Sequence, residues 1–393
     1  MSEGAPIGFI WWTLPTELRS FGVPIDTITA LTSLLVLPWA FKFLWAPLID
    51  IYRSERWKLR SWIIASQMVM GAALVPALFI ESAPQFPLLF SFFLLHTLAA
   101  ATQDVSIDAL CIAEVEPEER SVLNGWMQAG MLIGRSLFGG GAILFLQYFE
   151  MKTILGALIG LIWGTTIILF FSEQQSSIGT ASINDRRKIF WDVLKHALSS
   201  RAAWLGMLFA VIGGTAYESV GAVAGPFFVD NGFSKDQIGT FFSIFSIAAM
   251  LLGALIGGYG GKRYGIKRSV AVSLSFIIIM VFTLASYHIP HQSPGDPIYF
   301  IIMTAVYLGI GMFTASSYAL FMNITDARLG ATQFSTYMGG TNICESWSGY
   351  TAGILIAAAG YSAAFYSMGI VSLISLAVLY FIPEKNNSET ALE

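Results

Sequence analysis

Eleven stretches of this chain stay mostly apolar for about 20 residues or more, the length an α-helix needs to cross the hydrocarbon core of a bilayer. They occupy 28–49, 61–80, 86–112, 121–149, 153–172, 203–229, 238–259, 269–287, 297–322, 331–359 and 361–382. No other feature constrains the fold as strongly. In lipid every backbone N–H and C=O must be paired, and a helix pairs them within its own segment. The expectation is an all-α membrane protein. Composition agrees: 55% of the 393 residues are hydrophobic and 12% are charged, about half the charged share of soluble domains. Mean hydropathy is +0.67. The net charge of -4 decides little, because placement matters more than the sum in such a chain. The two cysteines, Cys111 and Cys344, both fall in apolar stretches and offer neither a disulfide framework nor metal-ligand spacing.

The opening, "MSEGAPIGFIWWTLPTELRS", reads as the second half of a further span. Roughly 14 residues precede Pro15, too few to cross at ~1.5 Å each. It has no basic flank or small-residue cleavage site, so it is not a signal peptide. The expectation is therefore 12 spans, the first one apparently truncated or mis-started. Orientation follows from the 21 basic residues. Counting the partial span as the first, the loops after even-numbered spans, the central loop and the tail hold sixteen of them. The opposite side holds three, Arg19, Lys152 and Lys235, and two, Lys42 and Arg135, lie inside spans. Positive residues mark the inner side, so both termini are expected in the cytoplasm.

A polar stretch from Ser172 to about Arg201 divides the chain into two six-span halves. An offset of 208 sets "EER" (118–120) on "DAR" (326–328), Arg60 on Arg268 and Asp50 on Gly258. Two parallel six-helix halves around a midplane site are the architecture of the major facilitator superfamily fold. The expected division is 1–172 for the first half, 173–201 for a cytoplasmic loop, 202–383 for the second half and 384–393 for a tail.

Charges inside the spans carry the chemistry. "FKFLWAPLID" (41–50) holds Lys42 in an otherwise apolar run and closes on Asp50. "DIYRSERWKLR" (50–60) and "GGYGGKRYGIKR" (257–268) follow the superfamily's pattern of a Gly or Asp at a helix end and then a basic cluster. Asp50, Arg53, Arg60, Arg120, Arg268 and Arg328 are the candidates for a cytoplasmic gate, since Asp50 can accept hydrogen bonds from a helix N-terminus or an Arg. The plainer alternative is that the basic residues only enforce topology.

Asp104 and Asp108, four apart in "ATQDVSIDALCIAEVEPEER", share a helix face. They are candidates for proton coupling or for pairing with Lys42 or Arg135. Arg135, fifteen residues past Arg120, falls about 22 Å along its span, at mid-membrane. A fixed cation there binds an anion or forms half of a buried pair. Glu218 and Glu345 are mid-span glutamates, a residue type suited to carrying a coupling proton, with a permanent salt bridge as the alternative. His96 reads more simply as a satisfied interior histidine than as a proton relay. Trp11, Trp12, Trp45, Trp57 and Trp62 cluster near span ends, as interfacial anchors do.

"FKFLWAPLID", joined to "ATQDVSIDA", "PEERSVLNG" and "ATQFSTYMGGTNICESWSGYTAG", resembles the AmpG-type muropeptide permeases of the facilitator superfamily, with acetyl-coenzyme A transporters as cousins. The resemblance covers nearly the whole chain, and Lys42, Asp50, Gln103, Asp104 and Asp108 fall on its motif positions. It implies a multi-pass importer of the bacterial inner membrane, driven by protons, for N-acetylglucosaminyl-anhydromuramyl fragments in peptidoglycan recycling. The chain departs from that pattern at Leu110 and Cys111, where a Trp and a basic residue are usual, and at Glu345, where a basic residue is usual. All remove positive charge or its neighbour.

The expected function is thus proton-coupled symport. Lys42, Gln103 and Arg135 line the substrate cavity, and Asp104, Asp108, Glu218 and Glu345 handle the proton. Rival readings are transport of another organic anion, such as a coenzyme A thioester or metabolite, and a non-transporting membrane sensor. No Walker loop, nucleophile elbow, zinc ligand set or nucleic-acid motif occurs. The expectation is no enzyme activity, no cofactor beyond protons, no metal, no nucleic-acid partner, and a monomer in the bilayer.

Overall fold

Apolar runs too long for anything but helix fold as helix. The computed structural model describes residues 1–51, 57–79, 86–114, 120–171, 201–288, 294–325 and 330–383, and every regular element among them is helical. Nine helical stretches among the described residues are long and apolar enough to cross a membrane. One of them, Gln333–Phe381, breaks in the middle at Gly360 (φ 82°, ψ 171°), where the sequence separates two apolar runs. Only glycine takes that left-handed backbone without penalty.

The chain forms two compact units: Met1–Lys188 with Ala224–Ile244, and Ile189–Val223 with Phe245–Glu393. In the first, Leu59–Leu74 packs against Phe86–Glu114 and Met151–Phe171. Phe9, Leu35, Trp39, Met70, Phe93 and Ile162 fill the core between helices. The helical segment 4–20 lies against 120–145 at very close range, and a Cβ on Gly8 would come within 2.4 Å of the Arg135 carbonyl oxygen. Small residues allow helices to approach like this in membranes. The wide π turn at Leu137–Gly141 disturbs the helical ladder. Thr13 Oγ1 reaches across to it, lying 2.9 Å from the Phe138 carbonyl and 2.8 Å from that of Gly139.

Ala224–Ile244 joins this unit through aromatic packing. Phe227, Phe228, Phe241 and Phe242 are fully buried, and Phe242 stacks on Trp12 with ring centroids 4.9 Å apart. The turn at its middle is built by Gly232 (φ 73°) and by a capping box in which Ser234 and Gln237 satisfy each other's backbone N–H groups.

In the second unit, Ser246–Tyr264 packs on Pro297–Ile324, which also carries Ile266–His288. Arg201–Gly213 packs on the long helix Gly330–Phe381. Asp296 caps its helix by accepting from Ile298 N–H at 3.0 Å, with Pro297 in the first turn. Lys267, in the basic cluster of "GGYGGKRYGIKR", donates to the carbonyls of Tyr380 and Ile382 at 2.8 Å each. It thereby closes a helix end whose carbonyls lack helical partners.

Candidate functional site

Lys42 follows directly on the helix Ile25–Phe41, which gives way there to a single 3-10 turn, Lys42–Leu44. Pro38 one turn earlier removes a backbone donor from that last turn. From this break the ammonium of Lys42 forms an ion pair with the Asp104 carboxylate, both side chains mostly buried at 13% and 16% exposure. A lone cation inside a span is costly, and a paired one much less so. Asp108, one turn further along, is exposed and adds its negative field at Lys42.

A third carboxyl completes the group. Glu3 lies near enough to feel the charges of Asp104, Lys42 and Asp108. Around it runs a polar chain that links four helical segments. Thr166 Oγ1 donates to Gln67 Oε1 at 2.7 Å. Gln67 Nε2 donates to Ser2 Oγ at 3.2 Å, and Gln103 Nε2 donates to the same hydroxyl at 3.0 Å. Gln103 is 1% exposed and its Oε1 has no hydrogen-bond partner. Its amide is thus anchored on Ser2 and held out of open solvent.

Arg135 is half-buried, with its guanidinium carbon 5.6 Å from the centroid of the Trp12 ring, a cation–π arrangement. Its Nε is buried and makes no hydrogen bond, leaving a donor for an acceptor to fill. Trp12, expected as an interfacial anchor, is instead 5% exposed between Arg135 and Phe242. His96 is fully buried, with Nδ1 2.9 Å from the Met70 carbonyl.

Glu218 and Glu345 belong to the second unit, each half-buried. Tyr217 lies in the field of Glu218, and the buried Cys344 thiol lies in the field of both glutamates, 3.7 Å from Thr215 Oγ1. Of the residues expected at the cytoplasmic gate, Arg53 and Arg328 lie outside the described residues. Asp50 and Arg120 sit on the helices Ala46–Ile51 and Arg120–Ser136, but their side chains also lie outside the description. Arg60 donates to the carbonyl of Phe170, and Arg268 is exposed.

Sequence reading passed over several polar groups that the fold brings together. Glu3 is the chief one, and Ser2, Gln67 and Thr166 form its surroundings. A second set ties segment 14–20 to Ala224–Ile244 within the first unit. Lys235 Nζ lies 2.8 Å from both oxygens of Glu17, donating its hydrogen bond to Oε2 and leaving Oε1 with the charge contact alone. Arg19 Nε lies 2.7 Å from Asp230 Oδ1. Gln147 adds a hydrogen bond to Asp236 at 2.7 Å. Arg19 and Lys235 had entered the sequence argument only as tokens in a charge count.

Membrane-spanning helices in two compact units, with charged side chains paired inside a span, define a multi-pass membrane protein of the transporter type. The chain belongs to the Major Facilitator Superfamily, whose pattern it matches over residues 2–349 and again over 214–393. It is 24% identical over 397 residues to "Putative transporter AmpG 4" of Rickettsia felis, covering 98% of this chain and 95% of that protein. It is also 24% identical over 390 residues to the "Anhydromuropeptide permease" of Escherichia coli (strain K12), covering 97% of this chain and 77% of that protein. Among solved structures it is similar in fold to a D-xylose-proton symporter, with a TM-score of 0.76, 13% identity, and 98% and 95% of the two chains covered.

Proposed function

We propose that this facilitator is a proton-coupled importer of the bacterial inner membrane, carrying anhydromuropeptide-type cell-wall fragments inward for peptidoglycan recycling. The observation that carries the reading is the ion pair between Lys42 and Asp104. The two residues come from "FKFLW" and "QD", the motif positions that this chain shares with AmpG-type permeases, and they meet inside the membrane. A pair of this kind, with Asp108 exposed beside it, suits a wet cavity where a proton competes with the lysine for the carboxylate. Arg135, with its unfilled Nε donor over Trp12, supplies a cation for an anionic group of the cargo. Glu218 is a second protonatable group, in the other unit, and Glu345 a third. Relatives named for AmpG and anhydromuropeptide transport support the substrate class at a level of 24% identity.

Asp104→Asn tests the coupling. It keeps the size and a hydrogen-bonding oxygen but cannot be ionised. The expected outcome is loss of uphill, pH-gradient-driven uptake of labelled anhydromuropeptide into proteoliposomes, with substrate counterflow retained. Loss of counterflow as well, in protein that remains monodisperse, would assign Asp104 to structure or substrate binding instead.

A further inference from the structure

The segments Phe9–Thr13, Leu137–Gly141 and Phe241–Phe245 each widen into a π turn, and the contacts between them fall within the first unit. Such turns interrupt the regular helical ladder, and in a membrane every carbonyl that the ladder releases needs another donor. Two hydroxyls supply donors across helices. Thr13 Oγ1, fully buried, donates to the carbonyls of Phe138 and Gly139 at 2.9 and 2.8 Å. Ser136 Oγ donates to the Ser243 carbonyl at 2.8 Å. The backbones touch as well, since a Cβ on Gly140 would fall 2.2 Å from the Ser243 nitrogen.

Arg135 stands just before the middle one of these turns, and each neighbour fixes a different part of it. Gly8 packs on its backbone, where a Cβ would lie 2.4 Å from the Arg135 carbonyl oxygen and 2.8 Å from its Cα. Ser136, the next residue, is tied to Ser243, and Thr13 holds the turn that follows. Trp12, the residue before Thr13, has its ring 5.6 Å from the guanidinium carbon. That ring is itself seated on Gly139, where a Cβ would come within 2.4 Å of it, and stacks on Phe242. The Thr13 hydroxyl thus couples the position of the indole to the backbone that carries the arginine. The Arg135 Nε–H is buried and makes no hydrogen bond. A long side chain held in place beforehand gives up less freedom when it binds.

We propose that Thr13 and Ser136 are positioning residues for Arg135, holding its guanidinium on Trp12 with the Nε–H presented to an oxyanion of the cargo. The proposal rests on the reading above, in which Arg135 takes the anionic group, and adds two residues that act through the arginine. A guanidinium can offer Nε–H and a terminal N–H side by side to two oxygens, and this fork works only when its orientation is fixed. Loss of either hydroxyl contact loosens a wide turn beside Arg135. The oxyanion then meets a guanidinium that must first be ordered, and binding weakens.

The test is phenylglyoxal labelling of arginines in the purified full-length protein, read residue by residue by peptide mass spectrometry, beside uptake kinetics in proteoliposomes. Arg135 should label slowly in the unaltered protein and severalfold faster in Thr13→Val and in Ser136→Ala. Thr13→Ser, which keeps the hydroxyl, should label like the unaltered protein. The exposed Arg268 serves as the control whose rate stays constant. In uptake of labelled anhydromuropeptide, Thr13→Val should raise KM severalfold and leave kcat nearly unchanged. Added to Arg135→Gln, it should raise KM no further. Unchanged labelling of Arg135 in both hydroxyl variants, or a further rise in KM in the Arg135→Gln background, would overturn the proposal. Two variants on different segments keep the test decisive if one of them fails to fold. Labelling needs no cargo. If the unaltered protein takes up no anhydromuropeptide, the cargo reading fails and the labelling still decides whether these hydroxyls hold Arg135.

Discussion

Lys42 sits inside an apolar run because Asp104 comes to meet it, and the energetics of that meeting depend on both partners being present. Removing one member of a mostly buried pair leaves the other desolvated and uncompensated, at a cost of about 3–5 kcal/mol, whereas replacing both is often close to neutral. Lys42→Met should therefore lower the unfolding midpoint in detergent sharply, and Lys42→Met with Asp104→Leu should recover most of the loss while transport stays abolished. If the single and double variants unfold alike, the ion pair contributes nothing to stability. This pair was legible from the sequence as two charges that lipid would not tolerate. Glu3 was not. It stands in a Ser-Glu-Gly stretch outside every motif, and the charges it feels lie on segments that only the fold brings near. Gln103 was legible as a polar group, but its anchoring on Ser2 depends on the same approach.

At the scale of elements, the apolar runs located the helices well because length and hydropathy are properties of a single segment. The break at Gly360 was legible in the same way, as a glycine between two runs. A side chain there must adopt φ near +82° with ψ near 171°, a region essentially reserved for glycine, at a cost of about 1–3 kcal/mol, so Gly360→Val is expected to lower stability by that order in a thermal melt. The stop at Phe41 was hidden, because the apolar run continues straight through it to residue 49. Helix pairs were equally hidden. The contact of Gly8 with the Arg135 backbone depends on geometry between two helices far apart in sequence. Thr13 bridges the same pair by donating to the π turn, and interhelical hydrogen bonds in membranes average about 0.6 kcal/mol. Thr13→Val should cost roughly that much, while Gly8→Leu should prevent the helices from docking and abolish monodisperse protein. Full stability of Gly8→Leu would contradict the packing described for 4–20 against 120–145.

At the scale of the whole molecule, the sequence repeat divides the chain near its middle, but the compact units divide it differently. Ala224–Ile244 belongs to the first unit, and the helix Thr215–Asp230 passes from one unit into the other. Charge counting could not reveal this, because it treats Arg19 and Lys235 as markers of sidedness and not as partners. Two ion pairs hold the segment. Arg19–Asp230, a quarter exposed on each side, is worth at most about 1 kcal/mol. Glu17–Lys235 matters more, since Glu17 is 3% exposed and would be left unpaired. Lys235→Glu should therefore lower the unfolding midpoint in detergent, and Glu17→Lys with Lys235→Glu should restore it. A swap that restores nothing would make the pair incidental.

The central claim is that this facilitator uses a proton gradient to import anhydromuropeptide fragments, and uptake into proteoliposomes tests it most directly. Labelled anhydromuropeptide should accumulate above its external concentration only when the outside is made acidic, and a protonophore should collapse that accumulation. Uptake indifferent to the gradient, or no uptake of any anhydromuropeptide by protein that is folded and reconstituted, would contradict it.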